Sequence, residues 1–195
     1  MADAAPRRGR PRSEAARGKI LAAARRLLEE RGLPGLTVEA IATLAGVGKP
    51  TVYRHWPNAQ AVAMDAFLES AEADEDTAAR GSALPALRGQ LAAIAAAFAS
   101  PAGRSTAAMI AAAQNDSELA KVFRNRFIMK SREAGRALLT RAVAEGSIRA
   151  DVDLEVALDL IYAPLFFRLL IGHGALDRDF TDALLDTALE GLSPL

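Results

Sequence analysis

Hydrophobic positions recur along this chain at three- and four-residue intervals, the spacing of helix faces. The first stripe is Ile20, Ala24, Leu27 and Leu28, which predicts a helix capped by Ser13 and closed near Arg31 by Gly32. An LPGL turn follows. Val38, Ile41, Ala42 and Ala45 then share the inner face of a second helix that starts at Thr37 and ends at Gly46. Val47 is placed as a buried plug in the turn. Gly48-Lys49-Pro50 opens a short third helix, with Pro50 in its first turn. Pro57-Asn58 breaks that helix and caps a fourth over about 58–76. Further helices are expected near 83–99, 103–114, 117–145, 153–171 and 179–191, punctuated by Pro101, Gly103, Asp116-Ser117, Gly146-Ser147 and Gly172-His173-Gly174. No NG or DG hairpin turn separates alternating segments. The expected fold is all-α, with about nine helices in total.

Toward the C-terminus the apolar pattern loses its polar side. Over 153–171, Leu154, Leu158, Ile161, Tyr162, Leu165, Phe166 and Leu169 wrap much of the circumference, and Ala157, Leu160, Pro164 and Ile171 cover the rest. A helix apolar nearly all round has to be buried on both sides. Its own core covers one side and a partner subunit is expected on the other. Leu158, Ile161, Leu165 and Leu169, with Leu184, Leu185, Ala188 and Leu189 of the last helix, are the interface candidates for a homodimer. The alternative is a pair of central helices in a monomer. Pro164 is expected to bend its helix. The middle helices would enclose any effector pocket, with Leu91, Ile94, Phe98, Met109, Ile110, Phe123, Phe127 and Phe167 as lining candidates. The same residues at the same spacing also make a plain core. Arg124, Arg126 and Arg132 are available to an acidic ligand or to solvent.

Composition changes this picture in two places. With 195 residues and 51% hydrophobic content, the chain can bury a sizeable core. It has no Cys, which excludes a disulfide framework, a thiolate metal site and a Cys nucleophile. No apolar run approaches the length of a membrane span, and the basic N-terminus is not followed by an apolar block, so a cytoplasmic protein without a membrane partner is expected. Net charge is zero, yet residues 1–56 hold eleven Lys and Arg against five acids, and the remainder is acidic by the same margin. A basic head on an acidic body points to a polyanion at the head.

Two helices joined by a glycine turn, the second one short, is the plan of a helix-turn-helix. Its second helix enters the major groove while the first crosses the backbone. Gly46 permits the reversal, and Val52 faces inward with Ile41 and Leu27. Lys49, Thr51, Tyr53, Arg54 and His55 face outward, toward phosphate oxygens and base edges. From Ser13 to Leu68 the text resembles the DNA-binding domain of TetR-family transcriptional regulators. The family pattern is met at Thr37, Val38, Ile41, Ala42, Ala45, Gly46, Val47, Thr51, Val52, Tyr53 and His55. The departures are Gly48 where Ser is frequent, Trp56 for Phe, and Ala59-Gln60 where a Lys is common. The stretch ALDLIYAPLFFRLLIGHGALD is similar to the C-terminal dimerisation region of one large subgroup. The resemblance implies Thr37, Tyr53 and His55 as DNA-backbone contacts, Lys49 and Thr51 nearer the bases, and a four-helix dimer interface. The division it implies is a basic arm over 1–12 expected to be disordered, a DNA-binding domain over 13–58, and a regulatory and dimerisation domain over 59–195. Within the arm, Arg8, Arg10 and Arg12 belong to an RGRP run like that of minor-groove peptides, and serve equally as a non-specific basic tail.

The expected function is therefore a DNA-binding transcriptional regulator: a ligand-responsive repressor that binds a palindromic operator on double-stranded DNA as a homodimer, without cofactor or metal. The alternatives are an architectural binder of A·T-rich DNA with no effector, and a helical enzyme. Against an enzyme stand two isolated His, no His/Asp/Glu cluster at metal spacing, and no GxSxG or phosphate-loop pattern.

Overall fold

The computed structural model describes residues 10–75, 81–112 and 117–192, and every described element is helical. The chain divides into two compact units, Met1–Ala66 and Phe67–Leu195. The division falls inside the fourth helix rather than at its start, as residues 59–66 of that helix complete the core of the first unit.

The first unit contains α1 (Arg10–Arg31), a 3-10 turn (Leu33–Gly35), α2 (Val38–Ala45), α3 (Lys49–Tyr53) and the first half of α4 (Ala59–Glu75). Helix α1 begins at Arg10, so Ser13 lies within it and is not its cap. Pro11 explains the earlier start: in a first turn its missing N–H costs nothing and its φ is already helical. The core is closed by Ile20, Leu21, Ala24, Leu27 and Leu28 of α1, Ile41 and Ala42 of α2, Val52 of α3, Trp56, and Val62, Ala63 and Ala66 of α4. The Thr37 hydroxyl caps α2 by accepting from the Ala40 N–H at 3.0 Å. Gly46 ends α2 at φ 67°, ψ 37°, a left-handed conformation open to Gly without penalty. The Val47 N–H then donates to the Ala42 carbonyl at 3.0 Å. Val47 itself is half-buried rather than a sealed plug. Asn58 caps α4 by accepting from the Ala61 N–H at 2.8 Å.

The second unit contains the rest of α4 with α5 (Ala83–Ala99), α6 (Pro101–Ala112), α7 (Glu118–Phe123), a π turn (Arg124–Ile128), α8 (Met129–Ala144), α9 (Leu154–Ile171) and α10 (Arg178–Leu192). The rod expected over 117–145 is continuous in sequence but carries that wider turn in its middle. Counting α7, the π turn and α8 as one rod gives nine helical rods among the described residues. Ser100 starts α6 earlier than expected, its hydroxyl accepting from the Gly103 N–H at 2.9 Å. Asp153 caps α9, its carboxylate accepting from the Glu155 N–H at 2.9 Å and the Val156 N–H at 3.3 Å. Helix α5 is central and packs against α6, α8, α9 and α10. Five phenylalanines interlock beside it. Phe67 and Phe98 stack at 5.9 Å, Phe123 and Phe127 at 5.5 Å, and Phe166 meets Phe98 edge-on at 5.1 Å.

Helix α9 corrects the expected interface. Leu158, Ile161 and Leu165 point into the protomer's own core and are fully buried, as is Leu185 of α10, and Ala188 is buried beside it. Leu169, Leu184 and Leu189 are half-buried. The outward apolar row is Val156, Leu160, Ala163, Phe167, Leu170 and Ile171. This rotation buries Leu158, Ile161 and Leu165, brings the Tyr162 hydroxyl to Gln90 of α5, and sets Glu155 and Asp159 beside Arg132 and Arg136 of α8.

Candidate nucleic-acid interface and regulatory cavity

Helix α3 is held from behind by Val52, which is fully buried, and at its end by Trp56. The Trp56 indole N–H donates to the Asp65 carboxylate at 3.0 Å, and Arg17 of α1 lies 3.5 Å from the same carboxylate oxygen. One carboxylate thus ties the tail of α3 to α4 and α1. Thr51 is half-buried, while Lys49, Tyr53, Arg54 and His55 are exposed on one short stretch, as expected. His55 leans against Trp56 with ring centroids 5.4 Å apart. Lys49 is not simply a solvated cation: its ammonium lies 2.9 Å from the Glu39 carboxylate of α2. Thr37, already engaged as a cap, keeps its exposed position at the start of α2. Gly48 precedes α3 in an extended conformation and offers no side-chain cap. Of the arm, Arg8 lies outside the described residues. The backbone at Arg10 and Arg12 belongs to α1, so these two positions are helical and not part of a disordered arm; their side chains lie outside the described set.

The second unit carries a cavity of about 240 Å³ that opens to solvent beside Asp159 and Ala163. Ile94 of α5, Phe127 and Ile128 of the π turn, Ser131 and Arg132 of α8, and Asp159, Tyr162, Ala163 and Phe166 of α9 line it. Ile94 and Phe127 are the expected lining residues found there. Leu91, Phe98, Met109 and Phe123 are buried and Ile110 is half-buried, and these five do not line this cavity. Phe167 is a plain correction: it is 59% exposed on the outer face of α9, and its neighbour Phe166 takes the place expected of it.

A buried polar group sits beside the cavity. The Tyr162 hydroxyl donates to Gln90 Oε1 at 2.7 Å, and Gln90 Nε2 donates to the Ser131 carbonyl at 3.1 Å. Gly135 makes room, because a Cβ there would collide with the Tyr162 hydroxyl. At the edge, Arg132 donates to Asp159 at 2.5 Å and to Glu155 at 3.0 Å. Burial opposes its charge, but the hydrogen bonds to Asp159 and Glu155 outweigh that and hold the guanidinium pKa above its ordinary value. Glu155 also meets Arg136, and hydrogen bonds from Arg136 and then Arg132 hold its carboxyl below the usual range. No group of His, Asp and Glu among the described residues could hold a metal ion. No single helix among them is long and apolar enough to cross a membrane.

Glu39, Asp65, Gln90, Ser131 and Tyr162 were not singled out for these roles by the sequence pattern. Gln90 carried a usable signal, being an uncharged polar residue directly before the apolar run LAAIAAAF.

A three-helix head presenting a short, rigidly backed helix with cationic and hydroxyl side chains defines a helix-turn-helix DNA-binding protein. Similarity to known proteins carries this further. Residues 20–63 match the model of bacterial regulatory proteins of the tetR family, and residues 75–188 match the tetracyclin repressor-like C-terminal domain. The chain belongs to the TetR family of transcriptional regulators and is not an enzyme. It is 36% identical over 186 residues to the HTH-type transcriptional regulator YdeS of Bacillus subtilis strain 168, covering 95% of this chain and 94% of that one. It is 32% identical to the DNA-binding transcriptional repressor TetR of Mycobacteroides abscessus, over 93% and 94% of the two chains. The crystal structure of the TetR-family regulator SCO0332 shares its fold with a TM-score of 0.71 at 34% identity, over 92% of this chain and 99% of that chain.

Proposed function

We propose that the protein is an effector-responsive repressor that binds a palindromic operator as a homodimer in the cytoplasm. The observation that carries this reading is the outer face of α9. Val156, Leu160, Ala163, Phe167, Leu170 and Ile171 form one continuous apolar row on a regulator whose single short recognition helix makes few base contacts. An exposed apolar row of this length marks an interaction surface. A two-fold pairing of heads doubles the contacts and imposes half-sites about 34–36 Å apart. In this reading Lys49 and Thr51 lie nearest the bases. Thr37, Tyr53, Arg54 and His55 hold phosphates, and Arg8, Arg10 and Arg12 add affinity from the N-terminus. The repressor of Mycobacteroides abscessus supports the sign of regulation.

The cavity is the effector site. It shares Ala163 with the outward row of α9, so a ligand seated there acts on the helix that pairs the subunits. A ligand that binds one spacing of the two heads more tightly shifts the population toward it, and a spacing that misses the half-sites releases the DNA. The test is selection of bound sequences from a random duplex pool, followed by footprinting. Two-fold symmetric sites with protection over both half-sites are expected. Selected pools without symmetry, or protection spread over broad A·T tracts, would replace this reading with the architectural one.

A further inference from the structure

We infer that the cavity beside α9 takes a compact aromatic acid, with its ring among Ile94, Phe127 and Phe166 and its carboxylate on Arg132 in place of Asp159. This rests on the effector-site reading above and adds the ligand's chemical class. Three features of the site converge on it.

Size comes first. A dry cavity of about 150 Å³ is enough to admit benzene. At about 240 Å³ this one has room for a single ring and a short polar substituent. The walls are the second feature. Phe127, Tyr162 and Phe166 bring three aromatic rings to a space whose remaining wall is Ile94, Ile128 and Ala163 away from the polar edge at Ser131, Arg132 and Asp159, which favours edge and offset contacts with a further ring. Two wall residues, Phe127 and Ile128, come from the π turn, a wide turn that recurs at functional sites because it re-aims side chains out of helical register.

Charge is the third. Arg132 is the cationic group of the lining. It is only 19% exposed and is held from one side by Glu155. Asp159, on its other side, is 72% exposed and its ion pair is worth little in water. An incoming carboxylate therefore competes for Arg132 Nη1 against a partner that can return to solvent, while Glu155 keeps the guanidinium in place on Nη2. A cationic ligand meets the reverse situation, since it would have to hold Asp159 where water screens it. An acid on a half-buried guanidinium gains a charge-assisted hydrogen bond in a drier place.

Isothermal titration of the full chain tests this, with benzoate and phenylacetate as probes, benzamide as the ring without charge, and acetate as the charge without ring. Benzoate or phenylacetate is expected to bind, with benzamide and acetate each at least about tenfold weaker, the size of one hydrogen bond to a charged group. Arg132→Met loses acid binding by a similar factor. Asp159→Asn removes the competitor and tightens acid binding about two- to fivefold, the range of an exposed ion pair. That variant keeps the side-chain volume, so it decides the matter even if Arg132→Met fails to fold. Benzamide binding as well as benzoate, acid binding unchanged or weakened by Asp159→Asn, or no heat from either acid up to about 10 mM would overturn the assignment. Operator selection is scored separately. Symmetric DNA sites without acid binding sink this inference alone, and acid binding without symmetric sites sinks the repressor reading alone.

Discussion

Replacing Phe167 by alanine should split the dimer and leave the protomer intact, whereas the same change two residues earlier should do the reverse. Phe167 is 59% exposed on the outer row of α9, and Leu165 is fully buried against the protomer's own core. Full burial of a Phe side chain is worth about 1.5–3 kcal/mol, so the exposed part of Phe167 carries roughly 1–2 kcal/mol when a partner covers it. A two-fold interface counts each substitution twice. Phe167→Ala is therefore expected to cost about 2–4 kcal/mol of association, or roughly a thirty-fold to several-hundred-fold rise in the dimer dissociation constant. Leu165→Ala removes buried methyl groups and should cost about 2–5 kcal/mol of unfolding free energy. Sedimentation equilibrium over a dilution series reads the first effect. Urea unfolding at one fixed protein concentration reads the second, because dimerisation itself shifts the midpoint. An unchanged dissociation constant in Phe167→Ala would place the pairing surface elsewhere. A wild-type chain that sediments as a monomer at micromolar concentration would remove the pairing altogether.

Four further outcomes follow from the head and the cavity. Thr51→Ala together with Tyr53→Ala should abolish discrimination between a selected operator and a scrambled duplex while circular dichroism stays unchanged; retained discrimination would refute the placement of α3. Glu39→Gln frees Lys49, a base-side group in the proposed reading, from its 2.9 Å partner, and should raise affinity for a selected operator more than for a scrambled duplex, read by fluorescence anisotropy at one fixed salt concentration. Gly135→Ala forces a methyl group against the Tyr162 hydroxyl and should destabilise by about 1–3 kcal/mol in urea unfolding. Deleting residues 1–12 should weaken DNA binding and flatten its salt slope, and equal slopes in the two forms would show that the arm touches no phosphate.

Much of the head was legible because its punctuation is chemical. Thr37 caps, Gly46 turns left-handed, Pro50 sits in a first turn and Asn58 caps, and each of these roles depends on the residue's own backbone preferences. The apolar stripes of α1 and α2 are narrow, so the inward face had a single solution. Helix α9 offered no such choice. Its apolar residues surround the axis, and periodicity cannot select a face on a cylinder without a polar side. What fixes the rotation is a tertiary matter: Leu158, Ile161 and Leu165 fill the core, the Tyr162 hydroxyl reaches Gln90 of α5, and Glu155 and Asp159 fall beside Arg132 and Arg136 of α8. Phe167 was misplaced for the same reason, since Phe166 and Phe167 are adjacent and only the rotation of α9 says which one faces in. The ties through Asp65 and Glu39 join residues on different helices, at separations that no local pattern encodes.

The wide turn at Arg124–Ile128 also bears on how this chain tolerates change in length. Phe123, Phe127, Ser131, Gly135 and Leu139 are all buried at strict four-residue steps, although an ordinary α-helix advances about 40° further round with each such step. The extra backbone atoms taken up in that turn offset part of the drift. Shortening the segment by one residue would leave a regular, well-bonded helix, and the loss would not register as a broken backbone. It would register as a twist of about 100°, carrying Gly135 away from the tyrosine it accommodates and delivering a bulkier neighbour in its stead.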